Sequence, residues 1–233
     1  MNVLAIETAT IEVGVAIANE RGLLATVTAR PKRRQVETLH PAIADVCRIA
    51  GVGLFELHAV AVDIGPGLFT GLRVGVAAAK ALAGGLDIPI VTATSLEILA
   101  FAAPGAFGSV VPVIDMRRGE VAWLMPKSAP ESFRVGSPTE LADDLSALGG
   151  PVLLVGDGAL RHFGLLVERA LPGTVVGGTE LAAAPVASLV VLAMASMRSG
   201  RSSDPAEVRP LYGREADARI NWSSRDSRQV LGT

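Results

Sequence analysis

Three acidic side chains stand where short apolar runs end: Glu7 in the run 2–8, Asp63 in 57–64 and Asp115 in 110–115. In open α/β sheets, ligands gather at the carboxyl ends of the strands. Two acids on adjacent strands there could hold a divalent cation for nuclease or phosphotransferase chemistry, and Glu7 with Asp63 is the pair to test. Acids at strand ends also cap loops or meet solvent, which needs no ligand. Directly after Asp63 runs Gly65-Pro66-Gly67-Leu68-Phe69-Thr70-Gly71. Backbone N–H groups at a helix start form an anion site, so Gly65, Gly67, Thr70 and Gly71 are candidate anion or nucleotide contacts. Their spacing, G-x-G-x-x-x-G, is neither the dinucleotide G-x-G-x-x-G nor a P-loop ending in Gly-Lys-Ser/Thr. The same glycines also suit plain strand-to-helix architecture.

The remaining chemistry-bearing residues are sparse. His40, His58 and His162 never fall three or four apart, so no helical metal pair exists. No serine stands in G-x-S-x-G and no base is placed for Cys47. As the single cysteine, Cys47 excludes an internal disulfide and a Cys-based zinc cluster. Arg33, Arg34, Arg73, Lys80, Arg117 and Arg118 form either a basic rim or a solvated surface. A net charge of −2 argues against a large independent nucleic-acid footprint.

The elements that position these groups follow from patterning. The chain has 233 residues, half of them hydrophobic, and only 4% are aromatic. Its mean hydropathy is +0.45, so the core is built from Ala, Val, Leu and Ile. That length suffices for one large domain or two small ones. Glu7 and Glu12 interrupt the first apolar run and no basic stretch precedes it, which argues against a signal peptide and for the cytoplasm. The run 181–197 is short of the roughly 20 residues a membrane span needs, and Pro185 and Ser188 interrupt it. A buried helix is expected there.

Strands are expected over 2–8, 12–18 and 23–29, as an antiparallel meander. A helix over 35–50 follows, with Val36, Leu39, Ile43, Val46 and Ala50 at helical spacing and Pro41 inside. Then come a strand over 57–64, a helix over 70–84 with Thr70 as N-cap, a strand over 88–93 and a helix over 95–102. After 104–108 the order partly repeats: strands over 110–115, 120–125 and 133–135, a helix over 138–148, a strand over 152–155 and helices over 160–170 and 180–198. The expected domains are 1–104, a smaller divergent 105–213 and a charged tail, 214–233. Pro210-Leu211-Tyr212 is expected as the last ordered anchor. The helix over 70–84 is apolar nearly all round. Leu72, Val76, Ala79 and Ala83 share one face, and Val74, Ala77, Ala78, Ala81 and Leu82 cover most of the rest. Such a helix is buried on more than one side: one lies on its own sheet, and the other needs a second domain or a second protein.

Four segments carry a resemblance: 3–10, 37–41, 65–75 and 115–121. Together they resemble the TsaB (YeaZ) family, over residues 3–126 closely and beyond them loosely. The resemblance implies an α/β, actin-like ATPase (ASKHA) fold, with two RNase H-like domains that each hold a mixed sheet flanked by helices. It implies a non-catalytic dimerisation subunit for N6-threonylcarbamoylation of adenosine 37 in tRNAs reading ANN codons. Implied partners are a TsaD-type catalytic subunit, a TsaE-type ATPase, a second copy of the chain when TsaD is absent, and tRNA through the complex; no membrane is implied. The chain would bind no cofactor by itself, with ATP or ADP confined to the partner interface. The catalytic paralogue holds metal through a histidine pair on a helix, which this sequence lacks. Carried onto this chain, the TsaD-facing surface is Val36, Leu39, His40, Ile43, Val46 and Cys47 with Phe69, Leu72, Arg73, Val76, Ala79 and Lys80. Of these, Leu72, Val76 and Ala79 are expected as the outer face. The sequence departs from the family at Glu7, usually Asp, and at Leu68, usually Ser. The alternative is an ATP- or metal-dependent enzyme of the same fold that uses Glu7 and Asp63.

Overall fold

A computed structural model describes residues 1–31, 35–105, 108–169 and 172–213. Arg33, Arg34 and the expected tail 214–233 lie outside the described residues. β1 (Asn2–Glu7), β2 (Val13–Asn19) and β3 (Gly22–Ala29) form the expected meander. They are followed by α1 (Gln35–Ala50), β4 (Leu57–Asp63), α2 (Phe69–Leu86), β5 (Ile90–Ala93) and α3 (Ser95–Ala102). The sheet order is β3-β2-β1-β4-β5. β1 and β4 are buried on both faces, which is why each reads as a continuous apolar run. They pair in parallel with Ile6 opposite Val62, so Glu7 and Asp63 leave the sheet side by side.

The second half holds β6 (Val110–Arg117), β7 (Glu120–Trp123), β8 (Arg134–Gly136), α4 (Pro138–Ser146), β9 (Leu153–Val155), α5 (Asp157–Arg161), α6 (Phe163–Arg169), β10 (Val175–Val176) and α7 (Val186–Arg198). Its sheet runs β8-β7-β6-β9-β10, the same order as the first, so β6 and β9 take the places of β1 and β4. α1 and α2 cover the outer face of the first sheet. α3 and α7 lie between the two sheets in a shared core with Ala5, Ala61, Ile114 and Val155. α4 and α6 cover the outer face of the second sheet. α7 occupies most of the run expected as a buried helix. Among the described residues no helix is long and apolar enough to cross a membrane.

Several boundaries differ from the sequence reading, each for a local reason. α2 starts at Phe69, with Leu68 as an N-cap that makes no side-chain bond, so Thr70 lies in the first turn instead of capping it. At the other end the helix runs through Gly84 and Gly85, where packing overrides glycine's poor propensity, and stops at Asp87 in the left-handed conformation. The run 160–170 splits into α5 and α6. The run 180–198 splits into a single 3-10 turn, Thr179–Leu181, and α7, with Pro185 as the N-cap of α7. β10 is only two residues long, too short to leave a pattern.

Candidate functional site

The strand-end acids come together but are sealed. Glu7 and Asp63 are fully buried. Glu7 Oε1 accepts from the Thr10 N–H at 2.8 Å, while Oε2 receives no hydrogen bond. Asp63 accepts from the Gly65 N–H and from Ser95 Oγ, each at 2.7 Å. Burial, then the charge of Asp63, pushes Glu7 well above the usual carboxylate range. Burial pushes Asp63 to about 7, against the lowering hydrogen bonds from Ser95 and Gly65. Both carboxyls of the pair therefore hold a proton more tightly than an exposed acid does. Ser95 opens α3 and Thr10 follows β1, so the pair ties together four chain segments. The donors already aimed at Asp63 take the lone pairs a cation would need, and neither acid reaches solvent. Among the described residues no cluster of three or more His, Cys, Asp or Glu could hold a metal.

The glycine turn is filled by the protein itself. Gly65 has φ +101° and is followed by a cis peptide to Pro66. A Cβ on Gly67 would fall on the Ala9 carbonyl oxygen, one on Gly71 on the Thr8 carbonyl oxygen, and one on Gly75 on Thr8 Oγ1. These glycines, four apart, let the start of α2 lie directly on the loop after β1. The Leu68 N–H donates to the Ala9 carbonyl at 2.7 Å, and Thr8 Oγ1 donates to the Gly71 carbonyl at 2.8 Å. Gly65, Gly67 and Gly71 thus face the carbonyl oxygens of Leu211, Ala9 and Thr8, and Thr70 is exposed. The glycine sides of the turn are packed by the protein itself.

The two outer helices correct the expected partner surface. Leu39, Ile43 and Val46 of α1 and Val76 and Ala79 of α2 belong to the core under the first sheet, and Leu72 is 1% exposed. These six are covered by their own chain, apart from an edge of Ile43 at the floor of the groove described next. Val36 is exposed, Cys47 is half-buried, and burial pushes its thiol up. The open face of α2 is the opposite one: Ala77 and Ala81 are exposed, and Val74, Ala78 and Leu82 half-buried. Between the helices runs an apolar groove of about 500 Å³ lined by His40, Ile43, Ala44, Cys47, Leu54, Ala78, Ala81 and Leu82. Beside Leu54, Phe55 is 94% exposed. Ala44, Leu54, Ala78, Ala81 and Leu82 were not singled out as site residues from the sequence. Part of the signal was present: Gly71 and Gly75 mark the inner side of α2, which leaves Ala77 and Ala81 outside.

Phe69, Arg73 and Lys80 lie on a third side of α2, under the segment 201–213. Lys80 Nζ donates to the Ala206 and Val208 carbonyls, at 3.3 and 3.1 Å, and Val208 is buried against α2. The Leu211 N–H donates to the Ile64 carbonyl, and Arg73 Nε donates to Tyr212 Oη at 3.1 Å. The Arg73 guanidinium lies 3.8 Å over the Phe69 ring, whose centroid is 5.2 Å from that of Tyr212. The expected anchor at 210–212 is therefore real, and these bonds make it.

The second sheet repeats the acids in a different setting. Asp115, near the end of β6, and Asp157, just after β9, meet where the Asp115 N–H donates to Asp157 Oδ1 at 2.9 Å. Arg117 and Arg161 both donate to Asp115 Oδ2, at 2.8 and 3.1 Å. Burial pushes Asp157 up, and the charge of Asp115 adds to this.

Two sheets of one strand order, with acids at matching strand ends and helices between and outside them, define the actin-like ATPase fold built from RNase H-like halves. YeaZ from Pseudomonas aeruginosa superposes with a TM-score of 0.77 at 27% identity, over 91% of this chain and 99% of that one. The family model described as "TsaD: tRNA N6-adenosine threonylcarbamoyltransferase" matches residues 22–135. The tRNA threonylcarbamoyladenosine biosynthesis protein TsaB of Bacillus subtilis is 30% identical over 231 residues, 95% of this chain and 98% of its own length. TsaB of Escherichia coli is 31% identical over 68% of this chain and 72% of its own. The chain belongs to the TsaB (YeaZ) family, which takes part in tRNA threonylcarbamoyladenosine biosynthesis.

Proposed function

We propose that the chain is the non-catalytic docking subunit for a TsaD-type transferase, and that it supports N6-threonylcarbamoylation of adenosine 37 in tRNAs reading ANN codons. The observation that carries this reading is the apolar groove between α1 and α2, with His40, Cys47, Ala78, Ala81 and Leu82 open to a partner. Apolar surface of this kind on a small protein marks a recognition site. The family's biosynthetic assignment supplies the partner class. The same groove could take a second copy of the chain when the transferase is absent, and a TsaE-type ATPase would join through the assembled complex. We place the chain in the cytoplasm, where tRNA is modified. A nucleotide at the partner interface would have to be held by residues other than the glycine turn. The enzyme alternative has little support, because Glu7 and Asp63 are out of reach of any substrate. Size-exclusion chromatography of the chain mixed with the transferase tests the reading. We expect co-elution for wild type and its loss for Ala81→Glu with the thermal midpoint unchanged. Co-elution retained by Ala81→Glu would remove the groove from the interface.

A further inference from the structure

The hairpin between β6 and β7 carries chemistry that the docking groove does not use. Arg117 and Arg118 have φ of +64° and +54°, in the left-handed region that disfavours side chains, ahead of Gly119 at +82°. A two-residue hairpin turn with positive φ at both central positions normally takes Asn or Gly. Here an arginine stands at the first of them. Arg117 is joined by Arg161 on the same oxygen of Asp115. The side chain of Asp115 is 2% exposed, and those of the two arginines 51% and 57%. One buried carboxylate thus fixes two guanidiniums side by side with their outer edges in solvent.

Aromatic surface adjoins this cluster. Gly213 packs so closely on Met116 that a Cβ there would come 2.5 Å from Met116 Cε, which sets Tyr212 beside the hairpin. Phe69 and Tyr212 are 46% and 38% exposed; their rings pack on each other, and the Arg73 guanidinium lies over Phe69. Guanidiniums beside half-open rings suit unstacked RNA, in which phosphates pair with arginine forks and bases stack on rings.

We propose that the β6–β7 hairpin and the Tyr212 corner form a direct RNA contact, in which Arg117, Arg118 and Arg161 meet backbone phosphates and Phe69 and Tyr212 receive a base. The proposal deepens the tRNA-modification reading and rests on it for the identity of the RNA. The net charge of −2 keeps the contact local, so the chain alone binds RNA weakly, enough for cross-linking, and the assembly binds it more tightly.

The test uses the chain bound to its transferase, and in parallel the chain alone, with transfer RNA carrying 4-thiouridine. Cross-links are expected in the peptides containing Arg117–Arg118 and Tyr212. Arg118→Glu and Tyr212→Ala should each weaken RNA binding about tenfold, and Arg118→Glu should also flatten the salt dependence by about one ion. Arg118→Asn removes the charge but suits the left-handed backbone, so RNA binding should fall while circular dichroism shows the fold retained. Co-elution with the transferase should survive all three variants, which separates this contact from the docking groove. If co-elution fails for wild type, the docking reading fails, and cross-linking to the chain alone still judges the RNA contact. Absence of cross-links from both peptides, or an Arg118→Glu variant with unchanged affinity and salt slope, would overturn the proposal. So would calorimetric binding of inorganic phosphate without RNA cross-links, which would make the cluster a small-anion site.

Discussion

The two sheets share one strand order and one placement of acids, yet they dispose of the negative charge in opposite ways. In the first, Glu7 and Asp63 are closed in by the loop after β1 and by Gly67, Gly71 and Gly75, which bring α2 down onto that loop. Among the described residues no basic side chain pairs with them; burial raises the proton affinity of both acids, and the Gly65 N–H and Ser95 Oγ donate to Asp63. In the second, Arg117 and Arg161 reach Asp115 from the surface, and the cluster stays open to water. The scaffold fixes where the acids stand. What packs above them decides whether they become a sealed joint or a charged surface. By this account the first pair is a structural joint under α2, and its work is to hold the helix whose far side forms the docking groove.

The contrast can be broken most severely at the glycine line. Gly71→Val should cost about 4 kcal/mol or more, because the new side chain falls on the Thr8 carbonyl and the backbone has no room to yield. Chemical denaturation reads this, and a loss under 1 kcal/mol would show that α2 does not depend on close contact. Next comes the arginine pair. The double change Arg117→Ala and Arg161→Ala leaves a buried carboxylate without a cation and should cost about 3 kcal/mol, while either alone should cost about 1, since the other still reaches Asp115. Equal effects of single and double changes would contradict shared neutralisation.

The sealed pair gives the third test, through pH. Asp63 binds its proton more tightly folded than unfolded, so between about pH 4 and pH 7 the folded state holds more protons. Stability should therefore be greatest at the low end of this window, fall as pH rises through it and level off above. The raised affinity of Glu7 extends the fall upward. In thermal melts Asp63→Asn should flatten this slope; an unchanged slope would mean that other groups carry it. The smallest effect is expected at Gly84, where a Cβ meets nothing within 4 Å, so Gly84→Ala should stabilise α2 by about 0.5–1 kcal/mol.

Much of this was legible in the sequence. The strand runs, the repeat of three strands followed by alternation, and the acids at strand ends all follow from patterning. That Glu7 meets Asp63 needed the β1–β4 register, and that the pair is sealed needed the Thr8–Thr10 loop. The facing of α2 was misjudged because a helix apolar all round has no periodic sign of its inner side. Leu72, Val76 and Ala79 are inside, and the glycines of the same helix were the usable clue. The course of 201–213 over Arg73 and Lys80 was out of reach beyond its Tyr212 anchor. Its bonds are made mostly to backbone carbonyls, such as those of Ala206 and Val208, which no residue type announces.

The central claim is that the groove works and the buried acids only support it. Threonylcarbamoyladenosine on tRNA, measured by mass spectrometry in cells that depend on this chain, tests the claim most directly. With wild type, Asp63→Asn and Ala81→Glu expressed at equal levels, the modification should persist with Asp63→Asn and disappear with Ala81→Glu. Loss of the modification with Asp63→Asn, while the folded variant still binds the transferase, would contradict the account and return Glu7 and Asp63 to the chemistry.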